Sequence, residues 1–360
     1  MLFKYMPVLR TRAAEIIAYD HLEDTHKNQI LPIFELTRSR RTRSDGQGEI
    51  IKNISKIQKM VGDRLYGLDL TGADELQNAS IVSMLGDGAN SFDLWVNFVS
   101  SLDCNNIIPA IHYDDSYAHL IKNQIERLRK TSKFLLFRLP VDEFCRETLR
   151  NFCSKVENAR DVILLLDGRY IDARNKEKRK NDKELFKEVC ATYPKVFHSI
   201  SYSSSSFPRS VVAPGYGGDT EGFFELPETC FYDELVDCKG SVASCYSDYA
   251  TVHPVSYPGG AGGWVPRVDY PRGKDLFYCR YRRDDGGYVR AASKVKSNSM
   301  YINHGDWGCG EIESAAAGVP NGRSPAHWIS VRMSLHMARQ VERLQSINSG
   351  LELSVHQRLG

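Results

Sequence analysis

The chain has 360 residues, 42% hydrophobic and 26% charged, with 47 Lys and Arg against 45 Asp and Glu. That length and apolar content permit a sizeable core and exclude gross disorder. A formal net charge of +2 excludes a global polyelectrolyte role, so any nucleic-acid partner would have to engage a local basic patch.

In chain order, residues 1–15 (MLFKYMPVLRTRAAE) are apolar but interrupted by Arg10 and Arg12, and they read as neither a secretory leader nor an anchor. Short apolar runs follow at 31–36, 65–70, 106–113, 134–139, 162–167 and 196–202. Near-continuous apolar runs of this length are what parallel strands look like when helices cover both faces. The segments between them carry helical periodicity. In 116–130, Leu120, Ile121, Ile125 and Leu128 share a stripe; in 181–191, Leu185, Phe186, Val189 and Cys190 do the same. After Tyr202 the pattern loosens into Gly-, Pro- and Ser-rich loops at 203–222 and 257–273, the second containing Gly259–Gly263. The run 276–281, the turn at 284–287 and the run 288–291 predict a β-hairpin. A last helix is predicted from Pro325 to Ile347.

Strict β-α alternation predicts an α/β fold, either a barrel or an open doubly wound sheet. An open sheet usually has a glycine-rich turn after its first strand, whereas here the segment 37–43 is TRSRRTR. The expectation is therefore a (β/α)8 TIM-barrel-like fold with long C-terminal loops and a terminal helix, as one domain over 1–360. No 18-residue apolar run occurs, and the nine cysteines are odd in number with no CxxC pair. They read as reduced thiols of a cytoplasmic protein with no membrane contact.

In such a barrel, functional residues sit at the C-terminal ends of the strands. Each predicted strand carries a polar residue there: Glu35, Asp69, His112, Arg138, Asp167 and Tyr202. Charges buried in apolar runs need partners. Glu35 and Asp69 could pair with Arg138 or with helix N-termini as structural ties, or the set could line a pocket; convergence on one rim favours the pocket. Glu35, Asp69 and Asp167 are the candidate catalytic carboxylates, with His112, Arg138 and Tyr202 as substrate contacts. The loop after the first strand carries Arg38, Arg40, Arg41 and Arg43, which would either hold phosphates or lie solvated beside Asp45 and Glu49. On the last helix, Arg332, His336 and Arg339 share a face that is either a cationic stripe toward a ligand or an exposed basic surface.

His112, His253 and His304 have no HxH, HExxH or CxxC context, so no metal is predicted. There is no GxSxG elbow and no Walker loop, and no cofactor is predicted.

Taken together, several segments resemble the Beta protein family of phage satellites and bacterial defence loci. They are 5–10 (YMPVLR) with Glu15, 30–35 (ILPIFE), 204–208 (SSSFP), 247–249 (SDY) with His253 and Pro254, then 280–282 (RYR), Gly322, and 328–336. Ser247 stands where the family usually has glycine. The resemblance implies a role in phage–host conflict and adds Asp248, Tyr249, His253 and His336 as candidate substrate-binding residues. It supplies no reaction. The functional expectation is a metal-independent hydrolase of phage nucleic acid, breaking an N-glycosidic bond in the manner of a DNA glycosylase. The alternatives are a non-catalytic immunity or regulatory protein that binds a protein partner from the same locus, and a metal-dependent nuclease.

Overall fold

The computed structural model describes residues 3–356 except 44, 103, 157, 173, 214–215, 237–243 and 256–263. The segment Gly259–Gly263 therefore lies outside the described residues. The first half runs β1 (Val8–Arg10), α1 (Ala13–Asp20), α2 (Asp24–Lys27), β2 (Ile33–Leu36), α3 (Ile51–Val61), β3 (Tyr66–Leu70), α4 (Ala79–Leu85), α5 (Asp93–Ser101) and β4 (Ile107–Pro109). Then come α6 (Ile121–Leu128), β5 (Leu135–Pro140), α7 (Cys145–Lys155), β6 (Ala159–Tyr170), α8 (Lys176–Thr192) and β7 (Phe197–Ser205). The last third adds β8 (Glu221–Glu225), α9 (Pro227–Val236), β9 (Ser247–Asp248), β10 (Arg267–Pro271), β11 (Asp275–Arg280), α10 (Gly287–Lys296), α11 (Trp307–Ala316) and α12 (Pro325–His356).

The fold is mixed α/β with parallel sheets. All six strands expected from apolar runs form. β1-β2-β3-β4 make one parallel sheet and β5-β6-β7-β9 a second. Single parallel bridges join their edges, Ala110 to Leu136 on one side and Tyr5 to Tyr246 on the other. Side chains alternate along each strand. One face of both sheets shares a core of Met6, Val8, Leu31, Ile33, Ile108, Leu136, Ile163, Leu165 and Tyr249. The opposite face, including Phe34, Leu68, Phe137 and Leu164, packs into the larger core under the helices.

A separate antiparallel sheet, ordered β10-β11-β8, packs with α10, α11 and the first half of α12 around Val268, Phe277, Ile312 and Trp328. This corrects the predicted hairpin. β11 pairs with β10 across the turn at Gly273 (φ 103°), while residues 288–291 begin a helix. Tyr288, Ala291, Ala292 and Val295 fall at helical spacing on its buried face, a period that the four-residue run 288–291 is too short to reveal. Among the described residues no helix is long and apolar enough to cross a membrane, and the eight of nine cysteines found there form no disulfide with one another.

Candidate functional site

Strand parity and parallel register build the site. Glu35 on β2 sits level with Arg10 on β1 and with Asp69 on β3. These side chains follow Val8, Ile33 and Gly67 by two residues, so they extend the shared inner face toward the C-terminal strand ends. Arg138 on β5 and Asp167 on β6 continue the same face after Leu136 and Leu165. Arg138 is the hub. Its Nη1 donates to Glu35 Oε2 at 2.8 Å and to Asp69 Oδ2 at 3.1 Å. Its Nε donates to Asp167 Oδ2 at 3.0 Å, and its Nη2 to the Tyr249 hydroxyl at 2.9 Å. Tyr249 in turn donates to Asp167 at 2.7 Å. Glu35 Oε1 also accepts from Thr71 Oγ1 at 2.7 Å and from Arg10 Nε at 3.3 Å.

Burial pushes the Glu35 carboxyl up, but the Arg138 and Arg10 guanidiniums outweigh it and hold it at about 2. Burial raises the Tyr249 phenol well above its ordinary value, with the Asp167 charge adding to the effect. The Arg138 guanidinium is held charged despite burial by Tyr249, Asp167, Glu35 and Asp69. Asp69 is the least restrained of the three carboxylates: its other contact is the N–H of Leu70, at 2.8 Å to Oδ1. The group opens to a cavity of about 410 Å³ lined also by Gly72, Asp74, Pro140 and Arg169. Backbone strain flanks it. Arg169 (φ 52°) sits at the register irregularity of β6 just after Asp167, and Ala250 and Thr251 (φ 46° and 63°) follow Tyr249. Non-glycine residues in this region are uncommon and concentrate at functional sites.

The expected residues divide by strand parity. Glu35, Asp69, Arg138, Asp167 and Tyr249 meet in one network. His112 lies beyond Asp69, between Phe92 and Trp95, and lines a neighbouring cavity of about 350 Å³ with Asp69 and Arg138. Burial lowers its imidazole pKa, partly opposed by Asp69. Tyr202 points the other way from Ser201 and Ser203. Its hydroxyl donates to Asp182 of α8 at 2.5 Å, so the expected substrate contact is a strand-to-helix tie. Asp248 likewise alternates with Tyr249 and turns to the helix side. It accepts from Tyr5 at 2.5 Å and Tyr246 at 2.7 Å and lies 2.6 Å from His336 Nε2, all fully buried. Asp248 and His336 thus join α12 to the sheet and do not reach the cavity. His253 stacks on Tyr170 (centroids 4.5 Å apart) at the margin of an adjoining cleft.

The expected face of α12 is not an exposed basic surface. Arg332, His336 and Arg339 are buried and paired with Asp269, Asp248 and Asp306 respectively. Arg40, Arg41 and Arg43 are exposed, and Arg38 is half-buried with Nη2 donating to the Glu75 carbonyl at the cavity margin. Their loop is braced by Asp45, which accepts from the N–H groups of Gly48 and Glu49 and from Lys52. No group of three His, Cys, Asp or Glu among the described residues is arranged to hold a metal. The centre of the three carboxylates is filled by a guanidinium. Sequence reading missed Arg10, because a three-residue strand carries no periodicity, and Thr71, which lies one residue past the end of the predicted strand β3.

The family model described as Beta protein matches residues 5–342. The chain belongs to the Beta protein family. It is 27% identical over 358 residues to Protein beta of Enterobacteria phage P4, covering 97% of this chain and 96% of that protein. Among solved structures, the NADH-dependent reductase A1-R′ aligns over 56% of this chain and 77% of its own, at 9% identity and a TM-score of 0.22. Its NAD complex aligns over 68% and 95%, at 8% and 0.25. Likeness that weak bears on neither fold nor function. Within the Beta protein family segments, Arg10, Glu35 and Tyr249 are the residues that enter the Arg138 network.

Proposed function

We propose that this Beta protein is a hydrolase of phage nucleic acid that breaks the N-glycosidic bond between a base and its sugar. The observation that carries the reading is the convergence of Glu35, Asp69 and Asp167 on one open cavity, at the ends of three different strands. Three carboxylates against the guanidiniums of Arg138 and Arg10 leave a net negative field there, which suits an oxocarbenium-like transition state. Glu35 stays ionised at neutral pH and supplies fixed charge. Asp69, the least restrained, activates water. A base within a duplex is out of reach of such a chamber and has to be flipped into it. Kinship with a protein of phage P4 supports a phage setting.

The same reading includes the architecture. The two sheets close through the bridges at Ala110–Leu136 and Tyr5–Tyr246 into one eight-stranded (β/α)8 ring, and the chain forms one domain. The inner core drawn from both sheets supports this. The saturation of Glu35 and Asp167 by Arg138 supports a second reading, a non-catalytic protein that binds a partner protein. Incubation of phage DNA with the purified chain in EDTA, followed by an abasic-site probe, separates the two. Base loss in EDTA supports the hydrolase. Strand cleavage that requires added Mg²⁺ or Mn²⁺ identifies a nuclease, and intact DNA with a co-purifying partner identifies the binding protein.

A further inference from the structure

Beside the carboxylate chamber lies a second cleft of about 440 Å³ with the opposite chemistry, and Arg10 and Val255 line both. Five guanidiniums border it: Arg10, Arg12, Arg209, Arg267 and Arg332. Among the described residues its one lining carboxylate is Glu15, whose pKa is raised by burial against the opposing pull of Arg12. The positive charge is under-compensated at the floor. Arg332 Nη1 and Arg267 Nε share one carboxylate, Asp269: Arg332 Nη1 lies 3.0 Å from Oδ2, and Arg267 Nε lies 2.8 Å from Oδ1 and 3.0 Å from Oδ2. Arg332 is 3% exposed, and burial together with Arg267 lowers its pKa to about 10. Its guanidinium carbon lies over Phe207, 4.1 Å from the ring centroid, and its Nε donates to Thr251. The Arg267 guanidinium carbon lies over Trp264 and Tyr278, 5.7 and 5.9 Å from their ring centroids. Guanidiniums held over aromatic rings and sharing one counter-charge form a preorganised anion receptor.

Two helices add to the field. α1 begins at Ala13 and α12 at Pro325, and Ala13, Ala14, Pro325 and Ala326 all line the cleft. The N-cap of α1 is Arg12, with no side-chain cap bond. The first-turn amides and dipole of α1 favour an anion at such a place; α12 adds its dipole and the Ala326 N–H, since Pro325 has no N–H and Ser324 Oγ takes that of His327.

We propose that this arginine cleft is a phosphoryl-binding subsite that anchors a substrate phosphate while the adjoining chamber holds the sugar and base. The anion class follows from the cleft alone; that the phosphate belongs to the substrate rests on the hydrolase reading. Arg10 is the hinge between the two, since its Nε faces Glu35 and its Nη2 donates to the Pro254 carbonyl.

The test is calorimetric titration of the full chain with inorganic phosphate at constant ionic strength. One saturable site is expected. Arg12 and Arg209 are exposed, so the R12A/R209A double variant keeps the fold and should lose affinity at least about tenfold. Asp69→Asn should bind phosphate as the wild type does, because its contacts lie in the other chamber. In competition, displacement by a 5′-phosphorylated dinucleotide but not by its 5′-hydroxyl form assigns a terminal monoester. Displacement by both assigns the backbone diester. Either result supports the subsite, and failure of both to displace phosphate overturns its role toward nucleic acid. Absence of saturable phosphate binding by folded wild type, or equal affinity in the double variant, overturns the subsite itself. Because binding is read without turnover, phosphate binding in a chain that releases no base would refute the reaction alone.

Discussion

Arg138→Met tests whether one guanidinium holds the site together. The substitution keeps length and removes the charge between Glu35, Asp69 and Asp167. Glu35 is displaced from 4.5 to about 2 in the folded chain. That difference is linked to about 3 kcal/mol of stability at neutral pH. Removing one partner of a buried ion pair costs about 3–5 kcal/mol, so the two routes agree. At ~2–4 °C per kcal/mol, Tm should fall by roughly 6–20 °C at pH 7. The pH dependence has a definite sign. A carboxyl with a depressed folded pKa stabilises above its unfolded pKa, and that stability is lost as pH falls through the folded one. Wild type therefore loses the Glu35 contribution between about pH 5 and 2. In the variant, burial acts on Glu35 without Arg138, its pKa rises, and acid relieves it. The gap between the two proteins should be widest at pH 7 and narrow toward pH 4. Urea denaturation followed by tryptophan fluorescence at pH 7, 5 and 4 measures it. Equal stability at pH 7, or a gap that does not change with pH, would refute the hub.

Glu228 should behave in the opposite sense. Burial pushes its carboxyl up to about 7, while Ser206 donates to it through both Oγ and N–H. The neutral form is favoured on folding, so its contribution is full below the unfolded pKa and lost as pH rises toward 7 and beyond; Glu228→Gln should raise Tm at pH 8 and leave it nearly unchanged at pH 5 by differential scanning fluorimetry. Replacing Arg38, Arg40, Arg41 and Arg43 by Ala should flatten the salt dependence of DNA affinity while shifting Tm by no more than a few degrees. An unchanged slope in fluorescence anisotropy titrations would show that the loop touches no phosphate. Asp69→Asn should abolish base release with a small change in Tm, since it gives up one contact to Arg138 at the margin of the network.

Six strands were legible because each is an apolar run long enough to stand out, and their polar ends named four of the five residues that bind one another at the hub. Tyr249 came from family resemblance. β1 and β9 were not legible: three- and two-residue strands leave no period to detect, and with β1 went Arg10, the residue shared by both cavities. Tyr202 was placed on the inner face because strand ends were read without parity, and Asp248, which came from the family resemblance, carried no strand assignment from which parity could be read. A shift of one residue sends a side chain from the inner face to the helices. The arginine cleft draws its residues from 10 to 332, so nothing local in the sequence marks it. Arg332, His336 and Arg339 look like a solvated stripe at helical spacing. Only the tertiary fold supplies Asp269, Asp248 and Asp306 to neutralise them.

The central claim concerns the chemistry of the carboxylate chamber, and mass spectrometry of products formed in isotopically labelled water tests it most directly. Wild type in EDTA should release free base from phage DNA and place the labelled oxygen on the sugar carbon that carried the base. Asp69→Asn should do neither, while still binding phosphate. Free base released equally by Asp69→Asn, or label appearing on phosphate in place of sugar, would contradict the assignment.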